Sequence, residues 1–263
     1  MQLKDKVIII TGACTGIGKS IATRCVEEGA KVVINGLEEN IGLELIEKLG
    51  PKNATLFIAD ITLEETPKKL VDFSIKSFGK LDAVVNNAAF IATSNIDDTD
   101  RTFFQKMLSV NTIAPFSIIQ AATDELSKTK GNVLNIGSIN AWGGEPHLLA
   151  YSVSKGALMT LTRNLGDSLF RQKGIRVNQI NPGWVLTEKE KLNKKEQGMK
   201  PNWYEDISDY FAPAGRIFKP EEIANMAAFL LSDQCGPISS QVYDMEQFPI
   251  IGRNMPKDII ITK

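Results

Sequence analysis

The chain is poor in the residues that build metal centres and disulfide frameworks. One histidine, His147, and three cysteines, Cys14, Cys25 and Cys235, are spread over 263 residues. An odd number of cysteines with no Cys-x-x-Cys pair suggests neither a zinc site nor a disulfide scaffold. A single histidine excludes a His-rich metal site, so no metal is expected. The net charge is −1, which leaves no excess of cations for nucleic acid or an anionic membrane. Long apolar runs are missing too. The first, Val7-Ile-Ile-Ile10, is far too short for a signal peptide or a membrane span. These absences lead us to expect a cytoplasmic protein of a reducing compartment. The remainder is ordinary for a soluble globular protein, with 43% hydrophobic and 23% charged residues.

What is present alternates. Val7-Ile10 reads as a parallel strand buried on both faces, because it is wholly apolar and β-branched. It runs into Thr11-Gly-Ala-Cys-Thr-Gly-Ile-Gly18, then an amphipathic helix from Lys19 to Glu28, then a strand from Ala30 to Ile34. Strand, glycine turn, helix and strand within about thirty residues make a βαβ unit. The glycines fall at 12, 16 and 18, where they let the backbone turn sharply and approach a pyrophosphate at a helix N-terminus. An ordinary glycine-rich turn is the bland alternative, but the context is the one the motif demands.

The pattern continues. Helices are expected at about 38–49, 64–78, 101–126, from near Tyr151, and at 221–231. Strands are expected at 55–58, 81–85, 132–136, 176–180 and 241–245. Strands alternating with helices throughout predict one α/β domain over residues 1–263, with a mainly parallel, doubly wound sheet of seven strands. Ligands of such sheets bind outside the carboxyl ends of the strands, which here carry Gly12, Asp60, Asn86-Asn87, Ser138 and Pro182-Gly183.

The stretch from Asn135 to Lys155 carries the chemistry. Tyr151 and Lys155 are four apart and share one helix face. A free phenol titrates near pH 10, and a fixed positive charge beside it favours phenolate. Lys155 is therefore expected to lower the Tyr151 pKa toward the range of general acid–base catalysis. Ser138, at the end of the preceding strand, could hold a carbonyl oxygen. Tyr-x-x-x-Lys alone is common by chance, and its weight comes from this setting.

Taken together, these residues resemble the short-chain dehydrogenase/reductase family across nearly the whole chain. Thr11 to Gly18 is similar to the family's cofactor loop, and Asp60-Ile-Thr62 to its adenine contact. Asn86-Asn-Ala-Ala89 is similar to Asn-Asn-Ala-Gly with the final glycine replaced. Asn111, Ser138, Tyr151 and Lys155 match the catalytic tetrad, while Asn181-Pro-Gly183 and Thr187 match the nicotinamide-end segment. The resemblance implies a Rossmann-type fold and hydride transfer between NAD(P) and a carbonyl or secondary alcohol. It implies Tyr151 as general acid/base, Lys155 on the nicotinamide ribose, and Ser138 on the substrate oxygen. Implied cofactor contacts are Gly12, Cys14, Thr15, Gly16, Ile17, Gly18, Gly36, Leu37, Asp60, Ile61, Asn87, Ala88, Tyr151, Lys155, Pro182, Gly183, Val185 and Thr187. Substrate contacts would be Ser138, Asn140, Trp142, His147 and Trp184. In the family the Asn111 carbonyl holds a water of a proton relay. Here Pro115, four residues on, has no N–H to occupy it.

Some features depart from the family. The second strand ends in Asn35-Gly-Leu37, with neither the acid that accepts ribose hydroxyls nor the Arg that welcomes a 2′-phosphate. Glu38 and Glu39 lie close and no cation does, so NAD(H) is favoured over NADP(H). Residues 188–216, charged but carrying Trp203, Tyr204 and Phe211, are expected to form a flap over the substrate. The tail, about 246–263, lacks the family's usual ending, although a homodimer or homotetramer is still expected. The favoured function is a dehydrogenase acting on a small-molecule secondary alcohol or carbonyl, such as a sugar or polyol. The alternatives are a 3-oxoacyl-[acyl-carrier-protein] reductase-like enzyme and a non-catalytic dinucleotide-binding regulator.

Overall fold

Seven parallel strands form one sheet in the order β3-β2-β1-β4-β5-β6-β7, in a computed structural model that describes residues 1–249. The strands are β1 (Val7–Ile10), β2 (Lys31–Gly36), β3 (Ala54–Ile58), β4 (Ala83–Asn86), β5 (Asn132–Ile136), β6 (Arg176–Pro182) and β7 (Val242–Met245). Nine α-helices accompany them among the described residues: α1 (Gly16–Glu27), α2 (Glu39–Leu49), α3 (Thr66–Phe78), α4 (Arg101–Leu108), α5 (Ala114–Thr129), α6 (Asn140–Gly143), α7 (Leu149–Lys173), α8 (Glu188–Glu196) and α9 (Pro220–Leu231). The single doubly wound sheet anticipated from the alternation is the one observed.

Alternation along the central strands sorts the core into two layers. Ile8, Ile10, Val32 and Ile34 face one side, where Ile21, Cys25, Ile223 and Ala227 of α1 and α9 cover them. Ile9, Val33 and Val84 face the other, against Leu70 of α3 and Ile118 and Leu126 of α5. Each such side chain, fully buried, contributes about 1.5–3 kcal/mol. Exposed ion pairs such as Lys68–Asp72 and Arg171–Asp167 contribute about 0–1 kcal/mol each. The apolar layers therefore carry the stability.

From β1 the chain winds outward through β2 and β3, then returns to the other side of β1 as β4. That reversal opens a crevice at the carboxyl ends of β1 and β4, where ligands of open α/β sheets bind. One element differs from expectation. The helix expected over 101–126 is interrupted by a π turn at Ser109–Ile113, where the Ala114 N–H donates to Ser109 O. Pro115, one residue into α5, cannot supply an α-helical donor to Asn111 O, and a wider turn accommodates that gap. Asp60-Ile-Thr62 is a turn: Asp60 Oδ1 accepts from both the Thr62 N–H and its hydroxyl at 2.8 Å.

The tail expected to diverge from about 246 lies partly outside the described residues. No helix among the described residues is long and apolar enough to cross a membrane, and no group of His, Cys, Asp and Glu among them could hold a metal ion.

Candidate active site

The crevice has a volume of about 650 Å³ and runs from Leu37 and Asp60 at one end to Tyr151 and Trp184 at the other. Its floor begins at the β1–α1 turn. Gly12 has φ +59°, and a Cβ there would lie 2.7 Å from Ala88 Cα, so only glycine fits both the backbone and the space. Asn87 locks the turn, its Nδ2 donating to Thr11 O and Gly12 O at 2.9 Å each. Thr11 Oγ1 accepts from the Asn87 and Ala88 N–H groups at 3.1 Å. Thr15, Gly16 and Ile17 line the opening, and Thr187 faces Gly16 across it.

Two of the expected loop contacts do not line the crevice. Cys14 is fully buried and packs beneath Gly36 and Gly42 as a small filler. Burial and the nearby Glu38 carboxylate raise its thiol pKa. Gly18 sits inside α1, where a Cβ would strike Asn87 Nδ2 and Gly12 O. It serves close packing of helix on loop. Gly36, Leu37, Asp60, Ile61, Asn87, Ala88, Pro182, Gly183, Val185 and Thr187 all line the crevice.

At the other end stand Ser138, Tyr151 and Lys155. Ser138 follows β5, and α7 carries Tyr151 and Lys155 one turn apart. Lys155 is 2% exposed, and its Nζ donates to Ile136 O at 2.7 Å, 5.7 Å from the centre of the Tyr151 ring. Tyr151 is buried as well.

The pKa shifts correct the expectation of a phenol made acidic by its lysine. Burial pushes Tyr151 up to about 12, and a hydrogen bond with Ser138 opposes that rise. Burial likewise brings Lys155 down to about 7. In this geometry desolvation is the largest cause of both shifts. Near neutrality the lysine is only partly charged.

The Asn111 side chain is wholly buried and braces the wall of the site. Its Oδ1 accepts from the Phe90 N–H at 2.8 Å, and its Nδ2 donates to Phe90 O at 2.9 Å and to Ser154 Oγ at 3.0 Å. With the side chain so engaged, any outward contact falls to the backbone carbonyl.

Of the expected substrate contacts, Ser138 and Trp184 line the crevice, whereas Asn140, Trp142 and His147 do not. Trp142 points to the last strand, its Nε1 donating to Asp244 Oδ1 at 2.9 Å. The Arg163 guanidinium lies over its ring at 5.0 Å. Asn140 is half-buried beside Ser138, its N–H donating to Ser138 Oγ at 3.2 Å. His147 is exposed, and its carbonyl accepts from the Ser94 N–H.

Residues not foreseen also line the crevice, notably Phe90, Lys106, Val110, Lys189 and Glu190. Lys106 and Val110 are four apart on one face, and Phe90 directly follows Asn86 to Ala89, so both signals were available. Trp184 stacks on Trp203 at 4.9 Å and 18° and donates to Glu190 Oε1 at 2.8 Å. This gathers the 188–216 segment over a small apolar cluster with Leu186, Ala212 and Ile217.

The crevice fits a dinucleotide. A glycine turn closes one end, and a buried ammonium with one protein acceptor among the described residues stands at the other. A family model described as Enoyl-(Acyl carrier protein) reductase matches residues 12–246. An uncharacterized oxidoreductase of Thermotoga maritima is 35% identical over 252 residues, 94% of this chain and 98% of that protein. The NADP-dependent (R)-specific alcohol dehydrogenase of Lentilactobacillus kefiri is 33% identical over 239 residues, 89% and 92% of the two chains. Glucose 1-dehydrogenase 2 of Bacillus subtilis is 34% identical over 245 residues, 90% and 92% of the two chains. With these matches and this crevice, the chain belongs to the short-chain dehydrogenase/reductase family, oxidoreductases that use nicotinamide cofactors and act on CH–OH groups.

Proposed function

We propose that the protein interconverts a secondary alcohol and a carbonyl with Tyr151 as general acid/base, and that it prefers NAD(H). One observation carries this proposal: Ser138, Tyr151 and Lys155 converge at the end of a crevice whose other end is the glycine turn. When bound, the oxidised nicotinamide supplies the hydride acceptor and a positive charge. Lys155 holds the nicotinamide ribose with the N–H groups that Ile136 leaves over. Ser138 orients the substrate oxygen and pulls the Tyr151 pKa down. Tyr151 takes the hydroxyl proton during oxidation and returns it during reduction. Asn111 O, denied its α-helical donor by Pro115, is the site for a water that carries that proton onward.

Two features support NAD(H). Glu38 lines the crevice beside Leu37, its Oε2 accepting from the Leu37 N–H at 3.2 Å, and Thr15 supplies no cation. A carboxylate there accepts ribose hydroxyls and repels a 2′-phosphate. The Trp184–Trp203 stack and Glu190 make the 188–216 segment a cover for a polar substrate of sugar or polyol type. Exposed Ile113 of the π turn, Phe116 of α5 and Val153 of α7 offer a face for a homo-oligomer, and a cytoplasmic setting suits the free cysteines.

Tyr151→Phe tests the mechanism. Turnover should fall by a factor on the order of 10²–10⁴ with cofactor affinity retained. Activity equal to the wild type eliminates it.

A further inference from the structure

The loop that carries Ser138 is held at both ends by one residue of the last strand. Asp244 Oδ1 accepts from Trp142 Nε1 at 2.9 Å and from Asn181 Nδ2 at 2.9 Å. Asn181 turns its own Oδ1 to the Ser138 N–H at 3.1 Å and to Gln179 Nε2 at 2.7 Å. One arm therefore grips the far side of the loop, at the indole in α6. The other reaches the backbone of Ser138 itself, through a side chain of β6.

The loop also packs against α7, where Arg163 lies over the Trp142 ring. Its remaining backbone bonds to the sheet are Gly137 N to Ile180 O at 2.7 Å and Ile139 N to Pro182 O at 3.2 Å. Helix α6 is a single turn with no side-chain cap, too short to hold a position by itself. Asn181 cannot orient itself unaided. An amide offers a donor and an acceptor on opposite arms; Gln179 Nε2 helps to hold the acceptor arm, and the opposite arm needs a group to take its donor. Asp244 takes it. A carboxylate is an acceptor with no donor, so it can serve both N–H groups without rearranging.

We infer that Asp244 is a positioning residue for the reaction, setting the place of Ser138 through Asn181 and Trp142. This rests on the proposed function, in which Ser138 and Tyr151 share the proton chemistry. Asp244 lies outside the crevice and acts only through the loop. When the clamp is lost, Ser138 drifts, and its hydrogen bond to Tyr151 lengthens. That bond holds the phenol's pKa down, so Tyr151 titrates at higher pH.

The test compares Asp244→Ala, Asp244→Asn and Trp142→Phe with the wild type, using a secondary alcohol that the enzyme oxidises. Asp244→Ala should lower kcat by about 10- to 100-fold with the KM for the nicotinamide cofactor unchanged. It should also move the rising limb of the kcat–pH profile to higher pH. Asp244→Asn keeps an acceptor oxygen and should return kcat to within about threefold of the wild type. Trp142→Phe removes one arm and should fall between them, which keeps the test alive if Asp244→Ala fails to fold. A wild-type pH profile in Asp244→Ala, or equal impairment of the Ala and Asn variants, overturns the inference. Tyr151→Phe is the control for the underlying mechanism. If that variant turns over normally, the mechanism fails. If it is dead while Asp244→Ala and Trp142→Phe match the wild type, only the clamp fails.

Discussion

Lys155 donates to the carbonyl of Ile136 at 2.7 Å, which ties the charged end of a buried side chain to the last residue of β5. The bond holds the lysine in the crevice without a carboxylate partner, so one carbonyl offsets only part of the ammonium's cost of leaving water. Its pKa falls from 10.5 to about 7 for that reason. The result is a group that changes charge near neutral pH.

That shift has a consequence for stability. Between pH 7 and 10.5 the unfolded chain holds a proton at this position that the folded chain has lost, so stability rises with pH. Tyr151 acts in the opposite sense. Its phenol is raised from 10 to about 12, so stability falls as pH climbs through that window. The two together predict a gain between pH 7 and 10, followed by a decline. Urea midpoints measured across this range should rise more steeply for the wild type than for Lys155→Met. Parallel curves for the two proteins would contradict the assigned shift.

The proposed preference for NAD(H) places cofactor choice at Glu38. Glu38→Ala removes the carboxylate beside Leu37 and leaves the end of β2 neutral. The ratio of kcat/KM for NAD over NADP should drop by about tenfold, since one charge-assisted hydrogen bond is worth about 1.5–3 kcal/mol. Glu38→Arg should drop it further by welcoming the 2′-phosphate. A ratio that does not move in either variant places the discrimination elsewhere.

The glycine turn, the Tyr151–Lys155 pair and the alternation of strands and helices were legible because each depends on local pattern: spacing along a helix, apolar runs along a strand, glycine where a turn is tight. The misplaced residues depend on contacts between distant parts of the chain. Trp142 looks like a substrate contact from its place after Ser138, yet its indole is claimed by Asp244, 102 residues away. The break at Ser109–Ile113 was half-legible. Pro115 was visible as a missing donor, but the π turn that accommodates it depends on packing. The sign of the Tyr151 shift was illegible, because burial of the phenol is a property of the folded site and no sequence spacing reports it.

Gly12 offers a test of the turn that is independent of catalysis. A Cβ at this position would approach Ala88 Cα to 2.7 Å on a backbone at φ +59°. Gly12→Ala therefore forces β1 and β4 apart at the crevice floor and strains the turn, at a cost of about 1–3 kcal/mol. Thermal unfolding should begin roughly 2–10 °C lower, and cofactor affinity should fall with it. Gly79, with nothing within 4 Å of its Cβ position and φ +80°, is the control for backbone strain alone: Gly79→Ala should lower the melting temperature and leave cofactor affinity intact. Loss of affinity in both variants would mean that global softening, and not the floor of the crevice, is responsible.

In the proposed function the 188–216 segment covers the crevice, and Trp203 anchors that segment. The ring is 6% exposed, stacks on Trp184 and meets Tyr204 edge-on at 5.7 Å. Lys194 and Lys191 lie 5.5 Å from the Trp184 and Tyr204 rings. This cluster is separate from the two layers that hold the sheet. Removing its largest side chain should release the cover before it unfolds the domain. Deleting a buried tryptophan costs about 3–5 kcal/mol, more than so small a cluster can absorb. In Trp203→Ala, trypsin should cut at Lys189, Lys191, Lys194 or Lys195 at least about tenfold faster than in the wild type, while far-UV circular dichroism stays the same. The KM for the alcohol should rise, because Trp184 and Glu190 line the crevice and lose their support. Unchanged cleavage in a folded Trp203→Ala protein would show that the segment is held by something other than the aromatic stack.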